Sequence, residues 1–158
     1  MNESMVDVLI YLYENYLDGA TRPDIDQDEL EVELSRAGFS NAEISHALIW
    51  LDELAARMDA TEYPPRDAGA MRVYTAGECA KLDIEARGLL LFLEQSGILD
   101  ALSRELVIDR AMALQQSAVS VEELKWVVLL VLMGRPGRES AHSQMEELIY
   151  SDAPALLH

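Results

Sequence analysis

Eight consecutive apolar residues, WVVLLVLM from Trp126 to Met133, are the longest wholly apolar run in the chain and its tightest constraint on folding. A helix that is apolar on every side must be surrounded by other helices, and eight residues fall far short of the roughly 20 needed to cross a bilayer. The run is therefore expected at the centre of a helical core. Leu89–Leu93 shows the same all-round pattern, so Leu91, Trp126, Leu129 and Leu130 are expected to be buried together in the second half.

Start and stop signals divide the rest. Met5, Val8, Leu9, Leu12 and Tyr16 form a helical stripe; Asp26 or Asp28 can cap a second helix that Gly38 ends; Ser40 with Glu43 is a capping box for a third, reaching about Met58. Leu30, Val32 and Leu34 alternate with Glu29, Glu31 and Glu33 as a strand would. The segment is nonetheless rich in helix formers, and Leu30, Leu34 and Ala37 share a helical face, so helix is expected. After a short strand-like piece at Met71–Tyr74, helices are expected at about 75–81, 84–96, 100–115, 120–133 and 138–150, with capping boxes at Thr75/Glu78 and Ser120/Glu123 and a helix stop at Gly97. Tyr63-Pro64-Pro65 and Gly69 mark a linker, because proline fixes φ and cannot donate to a helix. The expected fold is all-α and two-lobed: a three-helix unit over 1–60 resembling a helix–turn–helix, a linker over 61–70 and a helical bundle over 71–158.

A chain of 158 residues can bury about 70% of its unfolded surface, enough for a core without staples. Cys79 is its single cysteine, which excludes an internal disulfide and a thiolate metal cage and fits a reducing compartment. The acidic start MNESMVDVLI lacks the positive segment of a secretory leader, so a cytoplasmic location is expected. The charge is lopsided, with 16 Asp and Glu against 4 Lys and Arg over residues 1–70, and 13 against 8 over 71–158. Such a surface repels phosphate backbones and anionic lipid, so neither direct nucleic-acid binding nor membrane binding is expected.

The stretches MRVYTAGECAKLDIEARGLLLFLEQSGILD, RELVIDRAMAL, LKWVVLLVLM, MEELIY and LLH, with EISHALIWLDELA before them, resemble the bacterial Smg family over nearly the whole chain. The run from Met71 to Leu114 is the most specific part; the linker near Pro64 and the loop Gly134–Gly137 match least. The resemblance implies a bacterial cytoplasmic protein of unassigned biochemical role, often encoded beside DNA-processing and topoisomerase genes. It brings no catalytic residues.

Candidate chemistry is sparse. Glu43/His46 and Glu139/His142 have the Glu-x-x-His spacing of di-iron bundle ligands. Both pairs fall in the first turns of their helices, however, and His46 lies about 140° from the apolar stripe Ile44/Ala47/Leu48/Leu51/Ala55 at 100° per residue, which reads as a solvated histidine. The run Asp24–Glu29 begins like a calcium loop, but its sixth position is Glu29 where glycine is needed and its twelfth is Ser35 where a glutamate is needed. A lone cysteine such as Cys79, with Lys81 the nearest base in sequence, is usually a small buried hydrophobe. Gly134-Arg135-Pro136-Gly137 lacks the Lys-Ser/Thr of a phosphate loop. Residues 29–58 have the spacing of a helix–turn–helix, yet no positive side chain lies between Arg36 and Arg57 to meet phosphate.

These absences leave no reaction to assign and no cofactor or metal to hold, so a non-enzymatic interaction or regulatory module is expected. Its candidate surface is Asp24, Asp26, Asp28, Glu29, Glu31 and Glu33, which would steer a basic protein partner, with Ile49 and Trp50 on helix 40–58 as anchors. The alternative is a nucleic-acid mimic whose carboxylates occupy the basic cleft of a DNA- or RNA-processing protein.

Overall fold

The computed structural model describes residues 5–17, 27–60, 73–114, 116–135 and 137–150. They form an all-α protein that divides into two compact units, Met1–Glu53 and Leu54–His158. The expected linker over 61–70 lies outside the described residues, as do Asp24 and Asp26.

In the first unit, α1 (Met5–Leu12) runs on into a π-helical turn at Tyr13–Leu17, and Met5, Val6, Val8, Leu9, Leu12 and Tyr13 are buried. Helix α2 (Gln27–Arg36) stops at Gly38, whose φ of 107° is open to glycine and strained for other residues. The Gly38 N–H donates to the Ser35 carbonyl and the Phe39 N–H to the Leu34 carbonyl, which satisfies the last turn in a Schellman motif. Phe39 then meets the Tyr11 ring edge-on at 5.5 Å. Helix α3 (Asn41–Ala60) opens with the Glu43 N–H donating to the Ser40 hydroxyl at 3.2 Å.

The second unit takes the last turns of α3 from Leu54 and adds α4 (Ala76–Lys81), α5 (Ile84–Gln95), α6 (Ala101–Met112), α7 (Val121–Met133) and α8 (Glu139–Tyr150). Helix α7 packs against α5, α6 and α8, and its Leu124 and Val127 through Leu132 are all buried. The apolar run is thus the centre of the bundle. Arg57 on α3 reaches Asp109 on α6 at 2.7 Å, and Gly134 at the end of α7 leaves room for the Met58 side chain. Capping boxes are complete at Thr75/Glu78 and Ser120/Glu123, and Gly97, φ 83°, ends α5 in a second Schellman motif.

Polar stitches hold the corners. Lys81 Nζ donates to the carbonyls of Met112 and Leu114 at 2.8 and 2.5 Å, and burial pulls its pKa below the ordinary value. Beside it Leu82 and Val119 make a parallel bridge between extended segments. Arg135 faces Asp100 at 3.6 Å, while Arg138 donates to the carbonyls of Gly97 and Ile98, which ties the α7–α8 loop to the α5–α6 corner.

Asp100 caps α6 by accepting from the Ser103 N–H at 2.7 Å. Burial raises its pKa, but hydrogen bonding from Ser103 and the charges of Arg135 and Arg138 outweigh that and leave it below the ordinary carboxylate value. A carboxyl with a lowered folded pKa stabilises the fold above its unfolded pKa, and that contribution is lost as pH falls through the folded one. Asp100→Asn keeps a good cap without the charge, so it is expected to lose less stability than the parent between about pH 5 and pH 3 in acid-denaturation series.

Three expectations need correction. Val73 and Tyr74 are not in a strand; Met71 and Arg72 lie outside the described residues. Leu91 is 43% exposed and Phe92 also faces solvent: among the described residues α5 buries the side that carries Ala86, Leu89, Leu90 and Leu93, and its apolar residues outnumber the positions on that side. Trp126 is half-buried, its ring edge-on to Tyr150 at 5.8 Å.

Candidate functional site

Helix α2 presents the acidic face. Asp28, Glu29 and Glu33 are exposed and Glu31 is half-buried, while Leu34 alone on the helix is fully buried among its described side chains. Val32, which sequence reasoning passed over, stands among these carboxylates at 50% exposure. Its strand-like alternation with Leu30 and Leu34 disguised it, since a helix turns 100° per residue and carries Val32 about 160° away from Leu34. Between residues 27 and 53 the sequence holds seven carboxylates against one Arg, Arg36, which pairs with Glu33 at 3.3 Å.

Helix α3 is rotated from its expected setting. The buried residues are Ile44, Ala47, Trp50 and Leu54, a stripe turned roughly 60° from Ile44/Ala47/Leu48/Leu51/Ala55 at 100° per residue. The rotation carries Trp50 into the interior at 1% exposure, so it is a core residue and not a surface anchor. It also leaves Ala55 exposed and half-buries His46, whose Nδ1 is enclosed without a hydrogen-bond partner, in place of the solvated histidine expected. Ile49 stays outward at 57% exposure, on a stripe with Ala42, Ser45, Asp52, Glu53 and Ala56.

The remaining candidates do not converge. The Glu139 carboxylate accepts from the Gly137 N–H at 3.3 Å, while His142 Nδ1 lies 4.0 Å from Glu146. Among the described residues no three His, Cys, Asp or Glu side chains gather at metal-binding distance. Cys79 is half-buried on α4, and the ammonium of Lys81 is held by the Met112 and Leu114 carbonyls at the end of α6 and just beyond it. Among the described residues no helix is long and apolar enough to cross a membrane.

A concave surface lies in the second unit. Phe92, Ser96 and Ile98 on one side and Gln144, Glu147, Leu148 and Tyr150 of α8 on the other line an open groove of about 670 Å³. Its signal in the sequence is the excess of apolar residues in Leu89–Leu93, more than the buried side of α5 holds.

Fold and surface define an acidic, all-helical protein of two units. The chain belongs to the DUF494 family, the family of the Smg proteins: the family model described as "Protein of unknown function (DUF494)" matches residues 5–158. It is similar over its full length to the Protein Smg homolog of Methylococcus capsulatus, with 50% identity covering 100% of both chains. The Protein Smg homolog of Thioalkalivibrio sulfidiphilus is 47% identical, again covering 100% of both. That of Vibrio campbellii is 45% identical over 98% of this chain and 99% of its own. No solved structure matches.

Proposed function

We propose that the protein is a non-enzymatic interaction or regulatory module of the cytoplasm whose first unit takes a protein partner with a basic surface. The observation that carries this reading is the pairing of exposed apolar side chains with an acidic surround: Val32 among Asp28, Glu29 and Glu33 on α2, and Ile49 beside Asp52 and Glu53 on α3. Protein interfaces use apolar anchors for affinity and the surrounding charge for partner choice and rate of encounter. With Trp50 in the core, Val32 and Ile49 are the anchors. The single cysteine supports a reducing compartment.

Affinity capture from a native bacterial lysate, with the parent and with an Asp28→Lys/Glu29→Lys/Glu33→Lys variant, tests the proposal. A partner retained by the parent at moderate salt is expected to be at least tenfold depleted on the variant while far-UV circular dichroism is unchanged. Elution of that partner by duplex or single-stranded oligonucleotide supports the narrower reading, in which the carboxylates mimic phosphates; elution by salt but not by oligonucleotide supports an ordinary adaptor. Equal retention on both proteins contradicts either form.

A further inference from the structure

The outward side of α5 is apolar where a surface helix should be polar. At 100° per residue Ile84, Gly88, Leu91 and Gln95 fall on one face. Ile84 is 77% exposed, and Phe92 on the flank of this face continues it into the groove with α8. Gly88 sits in the helix interior, exposed, with nothing within 4 Å of where a Cβ would be. Glycine is less stable than alanine inside a helix, and nothing in the described fold requires it there; what it permits is close approach of another backbone. Glu85 beside Ile84 and Glu147 in the groove flank the apolar surface, and neither makes an ion pair among the described residues. Of the cations nearby, Arg138, at the Ile98 end, is engaged by the Gly97 and Ile98 carbonyls, and Arg87, on the other flank of the face, by the Leu82 and Asp83 carbonyls.

We propose that the outward face of α5, with the α5–α8 groove, docks an amphipathic helix of a partner protein, apolar where it faces Ile84, Leu91 and Phe92 and carrying Lys or Arg where it passes Glu85 and Glu147. Ile84 and Leu91 stand seven residues apart, about 10 Å along the axis, which matches anchors at i and i+7 of an incoming helix. Gly88 between them lets the two helices approach closely. The charge pattern selects a cationic helix over a second copy of this strongly acidic chain, and the site lies on a different unit from the acidic face of α2 and α3.

The test uses the full chain and a fluorescent peptide of about fifteen residues with Leu at i, i+3 and i+7 and Lys on both flanks, compared by anisotropy with a scrambled peptide of equal charge. The designed peptide is expected to bind with micromolar affinity and the scrambled one at least tenfold more weakly. Leu91→Lys is expected to weaken binding tenfold or more, and Glu85→Gln with Glu147→Gln several-fold. Gly88→Ala is the sharpest variant, expected to raise the denaturation midpoint while weakening the peptide several-fold. Equal binding of both peptides, or affinity untouched by Leu91→Lys, overturns the proposal. So does a dimer that Leu91→Lys dissociates in sedimentation, or peptide binding that emerges only when residues 151–158 are removed.

Discussion

Trp50→Ala is expected to destabilise the protein by about 3–5 kcal/mol, while Ile49→Ala, one residue away, is expected to change stability by no more than about 0.5 kcal/mol. Trp50 is among the largest fully buried side chains described in the chain, and Ile49 is more than half exposed on the same helix. Truncating a buried indole removes its transfer free energy and leaves a cavity that the surrounding helices fill only in part. Truncating an outward isoleucine removes contacts that were made largely with water. Urea denaturation followed by circular dichroism measures both. Equal shifts in the two midpoints would contradict the rotation of α3, and with it the proposal of Ile49 as an anchor.

Leu130→Ala is expected to cost about 2–5 kcal/mol for the same reasons, because α7 is enclosed by α5, α6 and α8 and Leu130 is 1% exposed. Leu91→Ala on α5 is expected to stay within about 0.5 kcal/mol, as exposed positions do. An unchanged midpoint for Leu130→Ala would mean that α7 is not the centre of the second unit.

The contrast between these pairs shows where sequence reading succeeds. Thr75 with Glu78, Ser120 with Glu123, and Gly97 act through hydrogen bonds and φ angles within a few residues of themselves. Their chemistry is therefore written locally, and the helices of the second unit begin and end close to where those residues place them. The continuous apolar run likewise marks α7 as central, because no rotation of such a helix gives it a polar side. Rotation and neighbourhood are different matters. Leu48, Trp50 and Leu51 together cover most of a helical turn, and only the tertiary surroundings decide that Trp50 goes in and Ala55 out. Leu89–Leu93 reads as enclosed for want of any polar interruption, yet α5 lies at the edge of the bundle and leaves Leu91 and Phe92 outside. The candidate surface follows the same division: the acid of Asp28, Glu29 and Glu33 is visible as composition, whereas Val32 joins them only once the helical phase of α2 is known.

The acidic face of α2 and α3 is proposed to capture a protein partner. Exposed charges act mainly on the rate of encounter and are screened over about 8 Å at physiological salt, so the kinetics of capture report on them directly. The decisive measurement is the association rate of a captured partner with the parent and with the folded Asp28→Lys/Glu29→Lys/Glu33→Lys variant, at low and at physiological ionic strength. The parent is expected to associate at least tenfold faster at low salt, with the difference shrinking as salt rises. Identical rates and affinities for the two proteins at both ionic strengths would contradict the claim and leave the carboxylates of α2 a solubilising surface.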